Sequence, residues 1–207
     1  MSPIGRQLAP PVLALCVLLA ACHPTGVNSI NDYSTVTTVH DGTYNFAAAT
    51  KYSLPTQVIS VGVPDAGTPT PPVNAQIQNA ILSSIRSQMN ARGYQEVQPS
   101  TNPDLITTAA LLEVTNITYY YNYWCGYWGW YYPCFPYYPP VAGISSYTVG
   151  TIVIDLGTPE PSQSRYGGVW TAVIRGVSSG STNTDSTRIA SGVSQAFIQS
   201  PYLESQP

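Results

Sequence analysis

The chain has 207 residues, of which 17 (8%) are charged, where an ordinary soluble domain carries about 25%. A formal net charge of −3 with a single lysine, Lys51, excludes a general nucleic-acid binder, because neutralising several phosphates takes a basic stripe. An apolar content of 43%, with 4 Trp, 16 Tyr and 3 Phe, excludes simple disorder, and the length fits one domain of average size.

Residues 1–21 have the parts of an export signal: Arg6 as the positive region, then an apolar run from Val12 to Ala21 that is too short to span a bilayer. The run ends Leu19-Ala20-Ala21-Cys22, which resembles the lipobox of bacterial lipoproteins. That resemblance implies cleavage before Cys22, acylation of its thiol and new N-terminus, and a tether over 22–32. The competing reading is an ordinary secretory signal with Cys22 an incidental thiol. Residue 23 is His rather than Asp, which by resemblance to the Gram-negative sorting rule favours the outer membrane, facing the periplasm or the cell surface. His23 is then part of the tether and not a metal ligand.

From Tyr33 a single domain runs to Glu204. The segments Tyr33–Val39 and Tyr44–Leu54 hold β-formers around the turn signal Asp41-Gly42. Val58–Val63 reads as a short buried strand, and Pro64–Pro72 as a proline-rich connection. Ile77, Ile81, Ile85 and Met89, supported by Ala80, recur on one face of a helix, while Asn79, Ser83, Arg86 and Asn90 form the other; Gly93 stops it. Leu105–Thr118 reads as a long strand with Ile106, Ala110, Leu112 and Val114 on one face. Tyr147–Leu156 and Val169–Val177 also alternate, with Gly157–Gly168 between them a loop on account of its two prolines and three glycines. The last helix starts near Thr184-Asp185, carries Ile189, Val193, Ala196 and Phe197 on one face, and ends at Pro201. The fold class is α+β: a two-layer sandwich with two helices on one face of a mainly antiparallel sheet.

Several pieces in this order resemble one bacterial lipoprotein family: Tyr44-Asn45-Phe46 with Lys51-Tyr52-Ser53-Leu54-Pro55, the helix exit Arg92-Gly93-Tyr94, Pro103-Asp104-Leu105-Ile106, Gly150 to Leu156, Val169-Trp170 to Gly176, and Phe197 to Leu203. The chain is similar to the family carrying domain of unknown function 4136 over roughly residues 35–203. The resemblance implies an exported envelope lipoprotein with an α/β fold and brings no catalytic residues with it. The departure is the extra length between Tyr119 and Tyr147.

That insertion, 119–147, carries no charge, and 13 of the 20 positions from Tyr119 to Tyr138 are aromatic. Its prolines and glycines oppose a regular helix or central strand through most of it. Cys125 and Cys134 are the cysteines left after export, and in the oxidising periplasm a disulfide between them is the natural reading, with free thiols the alternative. Three uses for the rings compete: a cluster folded over the sheet, an interaction surface centred on Tyr123, Trp124, Tyr127, Trp128, Trp130, Tyr131 and Tyr132, or insertion at a membrane interface.

Chemistry is harder to find. His23 and His40 are too few and too far apart for a standard site, and Asp104, Glu113 and Asp155 are scattered over strands. Asp104 reads as the start of a strand, and Asp155 as a residue on a solvated face or near Arg175. Gly-rich phosphate loops and metal-ligand spacings are lacking. The expectation is therefore a noncatalytic, outer-membrane-anchored lipoprotein with no cofactor and no metal. Its role is structural or interactive with an envelope protein; the second reading is a glycan or peptidoglycan binder using the aromatic insertion.

Overall fold

A computed structural model describes residues 34–61, 72–112, 137–138, 150–160, 165–178 and 181–206. Strand β1 (Thr35–His40) leads through an Asp41–Thr43 turn and a 3-10 turn (Phe46–Ala48) to β2 (Lys51–Ser53) and β3 (Ile59–Val61). Helix α1 (Ala75–Ala91), β4 (Gln95–Glu96) and β5 (Leu105–Leu112) follow. The two-residue β6 (Tyr137–Tyr138), then β7 (Thr151–Glu160), β8 (Arg165–Arg175) and helix α2 (Thr182–Ile198) complete the order.

The strands form one mixed sheet in the order β1-β8-β7-β5-β2-β4. The long ladders, β1 with β8, β8 with β7 and β7 with β5, are antiparallel. The parallel pairings are short and peripheral: β2 and β3 lie end to end along the same edge of β5, β4 extends β2, and β6 lies on β8 at Tyr166–Gly167. Both helices pack on one face. There the cross-strand rows Thr107–Leu156–Trp170 and Ala109–Ile154–Ala172 meet Ile81, Ile85 and Met89 of α1 and Ile189, Val193 and Phe197 of α2 in one core. The α+β sandwich with its helices on one face is the observed architecture.

Helix α1 forms where its apolar stripe repeats. Asn74 caps it, its side-chain oxygen accepting from the N–H groups of Gln76 and Ile77. Gly93, at φ +84°, ends it in the left-handed conformation that glycine adopts without a Cβ penalty. Helix α2 begins at Thr182, before the expected Thr184-Asp185, with Ser181 at the cap position and Asp185 in its first turn.

Other expectations are corrected. Tyr44–Leu54 is not continuous strand: Asp41 Oδ1 accepts from the Thr43 N–H at 2.8 Å and from its hydroxyl at 2.6 Å, turning the chain into the 3-10 segment, so pairing starts only at Lys51. Residues 157–160 and 165–168 are strand and not loop, while 161–164 lie outside the described residues. Thr158 pairs with Gly167 and Glu160 with Arg165, beyond an irregularity between Leu156 and Gly157. The central ladder zips outward through residues that are poor strand formers in isolation, and the irregularity absorbs the mismatch. Strand β4 is too short to carry a period. Residues 113–118, including Val114 and Glu113, lie outside the described residues.

Candidate functional site

Three features concentrate polar or aromatic side chains. The first is a cleft of about 1230 Å³ between α1, residues 54–57 and the β4–Pro99 segment. Arg86, on the polar face of α1, reaches Glu96 of β4 through two parallel contacts, Nε to Oε2 at 2.6 Å and a terminal nitrogen to Oε1 at 3.0 Å. The Glu96 hydrogen bond holds the Arg86 guanidinium above its ordinary pKa. Beside it, the Tyr52 hydroxyl donates to Asn90 Oδ1 at 2.9 Å. Burial, reinforced by the Glu96 charge, pushes that phenol well above its usual range, so it stays protonated. The polar part of the remaining lining is amide and hydroxyl, including Gln57, Gln76, Asn79, Ser83 and Gln98, beside apolar Leu54, Leu82 and Val97. The cleft offers hydrogen bonds to a neutral polar group but no free base beside a nucleophile.

The second feature ties the domain's ends together. The His40 ring stacks on Tyr202 at 3.9 Å, and Phe46 lies 5.4 Å from Tyr202 and edge-on to Tyr44 at 4.9 Å. The Tyr94 hydroxyl donates to the Phe46 carbonyl at 3.2 Å. Burial and the nearby Asp104 charge push the Tyr44 phenol to about 12. Asp104 stands at the start of β5, as expected, and holds β2 in place: its Oδ2 accepts from the N–H groups of Thr50 and Lys51 at 2.8 and 2.9 Å and from the Thr50 hydroxyl at 3.2 Å.

Partial burial raises the Asp104 pKa, but the donors from Thr50 and Lys51 together bring it below the ordinary value. A carboxyl depressed in the folded state stabilises fully above its unfolded pKa of about 3.9 and loses that contribution as pH falls through the folded pKa. Urea midpoints are therefore expected to drop between about pH 5 and pH 2, and Asp104→Asn should flatten part of that drop. Asp104→Ala should cost about 1–3 kcal/mol at neutral pH. An Asp104→Asn profile parallel to wild type from pH 7 to pH 2 would remove Asp104 as the cause.

The third feature is the sheet face away from the helices. Asp155 lies on it, and the expectation of a solvated carboxyl is overturned: it is 1% exposed and accepts a hydrogen bond from the Thr171 hydroxyl directly across the ladder. Thr108 stands opposite on β5. A buried carboxylate is tolerated only with such donors.

Among the described residues no three His, Cys, Asp or Glu side chains cluster as metal ligands. Cys22, Cys125 and Cys134, and Tyr123, Trp124, Tyr127, Trp128, Trp130, Tyr131 and Tyr132, lie outside the described residues. What can be placed are the flanks of the insertion, Leu112 at the end of β5 and Gly150 before β7, joined by a hydrogen bond from the Gly150 N–H to the Leu112 carbonyl at 2.9 Å. Sequence reading missed the Arg86–Glu96 cleft, since nothing in a ten-residue separation signals an ion pair, and it missed the burial of the second face.

The mixed sheet and the two helices on one of its faces define an α+β sandwich domain. The family model named Domain of unknown function (DUF4136) matches residues 36–202, and the chain belongs to that family. A crystal structure of a DUF4136 family protein from Bacteroides thetaiotaomicron is similar at a TM-score of 0.61 and 24% identity, covering 83% of this chain and 97% of that one. A PelC dodecamer from Paraburkholderia phytofirmans aligns at a TM-score of 0.37 and 12% identity, over 78% of this chain and 96% of that one. No curated protein matches the chain.

Proposed function

We propose that this protein is a noncatalytic lipoprotein, anchored in the outer membrane through acylated Cys22, that acts by contact with an envelope protein through its aromatic insertion. The observation that carries the noncatalytic part is the engagement of the charged side chains: Asp104 holds β2, Asp155 is buried against Thr171, and Arg86 and Glu96 neutralise each other. The anchor rests on Leu19-Ala20-Ala21-Cys22, and the contact role on the uncharged run of rings between Tyr119 and Tyr138, since aromatics supply large rigid area at interfaces.

Photo-crosslinking in intact cells from position 128 tests this reading. A discrete protein adduct, lost when Trp124, Trp128 and Trp130 are all changed to Ala, is expected. The second reading is a glycan whose sugar rings stack on these three Trp side chains. Sedimentation with purified peptidoglycan that disappears in the triple variant would support that class, and no adduct and no sedimentation would defeat both.

A further inference from the structure

Helix α1 lies in the crossover that carries the chain from β2 and β3 to β4, and β2 and β4 run parallel. Their pairing stops early. The Val97 N–H donates to the Tyr52 carbonyl at 2.8 Å, and the rung that would follow, from the Leu54 N–H to the Val97 carbonyl, is not formed. Beyond it the cleft opens. Residues 54–57 continue β2 and residues 97–99 continue β4 along its sides, and the first turns of α1 line it at Gln76 and Asn79. Where parallel strands are joined by crossovers, the space outside their carboxyl ends is where a ligand finds room.

The chemistry of the lining narrows what fits. Its charged members, Arg86 and Glu96, satisfy each other through two contacts, so a charged group entering here would lose water without gaining a counter-ion. Among the described residues no aromatic ring lines the cleft, which leaves a sugar without a flat apolar face to lie on. The side-chain amides of Asn79 and Gln98 are exposed and make no hydrogen bond among the described residues. Each presents a donor and an acceptor side by side, the pair that a peptide group also presents. Leu54, Leu82 and Val97 add apolar surface to the same cleft. From Gln76 to Arg86 the lining face of α1 runs ten residues, about 15 Å of helix. That length matches about four or five residues of extended chain.

We propose that this cleft binds an uncharged, extended peptide segment of another protein, with Asn79 and Gln98 hydrogen-bonding its backbone and Leu54, Leu82 and Val97 receiving its apolar side chains. The Arg86–Glu96 pair ties α1 to β4 and so sets the width of the opening. The inference uses none of the residues of the contact role proposed above and stands or falls apart from it.

The test is panning of a phage-displayed library of linear heptapeptides against the full-length protein, followed by calorimetric titration of the selected synthetic peptide. An uncharged consensus is expected. Binding should weaken about tenfold or more in Asn79→Ala and in Gln98→Ala, and vanish in Ser83→Trp, which fills the cleft from an exposed turn of α1. All three positions are exposed, so melting temperatures should stay at the wild-type value, and the two alanine variants carry the test if the tryptophan variant alone unfolds. A library that yields no binder, a charged consensus, or a peptide that binds all the folded variants as it binds wild type would overturn the proposal. Chitotetraose that binds wild type and is weakened by the same substitutions would overturn it too, by assigning the cleft to glycan.

Discussion

Trp170→Ala is expected to lower the unfolding free energy by about 3–5 kcal/mol, enough to leave a domain of ordinary stability largely unfolded in mild urea. Among the described residues Trp170 is the largest fully buried side chain, on the helix face of β8 between Leu156 on β7 and His40 on β1. Its ring packs on Phe197 of α2 at 5.3 Å, and its indole N–H donates to the Ser200 hydroxyl at 2.9 Å just past the helix end. Truncation removes the contacts that join sheet to helix and leaves a cavity that the surrounding strands can only partly close. Trp170→Phe keeps most of the volume, and Ser200 retains the hydroxyl of Tyr202 at 3.2 Å, so a smaller loss of about 1–2 kcal/mol is expected. Urea denaturation followed by circular dichroism, which does not depend on the removed fluorophore, measures both. A loss under about 1 kcal/mol for the alanine variant would be below the range for buried aromatics.

Gly192→Ala should destabilise by about 1–3 kcal/mol, against the about 1 kcal/mol of stabilisation the same change brings in an exposed helix. A Cβ built at Gly192 would lie 2.5 Å from Ile174 Cγ2, closer than side-chain carbons approach. The obstructing atom belongs to a β-branched residue held in the centre of β8, with little rotamer freedom, so α2 must lift off the sheet. A double-mutant cycle identifies the clash: Ile174→Ala removes the obstructing methyl, and the pair should be less destabilised than the sum of the singles by about 1 kcal/mol or more. Strict additivity would place the cost of Gly192→Ala elsewhere.

The parts of this fold legible in the sequence are those with a long period or a stereochemical stop. Helix α1 shows four apolar residues at turn spacing and a glycine whose positive φ ends it; β7 and β8 alternate over enough residues to be found. The short parallel pairings of β2, β3, β4 and β6 are invisible because two or three residues have no period, and their partners are set by how the long hairpins pack. Asp155 and Thr171 look solvated because alternation puts polar residues opposite Ile154 and Ala172. Yet Ile152-Val153-Ile154 and Ala109-Ala110-Leu111-Leu112 are continuous apolar runs, the pattern of strands buried on both sides. That signal points to the second buried face, where alternation alone points to solvent. The Arg86–Glu96 pair depends on the turn after α1 bringing β4 back beside the helix, a geometry that no local pattern encodes.

Metabolic labelling with a radioactive or clickable fatty acid, followed by membrane fractionation of wild type and Cys22→Ser, tests the proposed anchored role most directly. Label on the wild-type chain, recovery in the outer-membrane fraction, and loss of both in Cys22→Ser are the expected results. An unlabelled wild-type protein recovered in the soluble periplasmic fraction, with an N-terminus other than residue 22, would contradict the account.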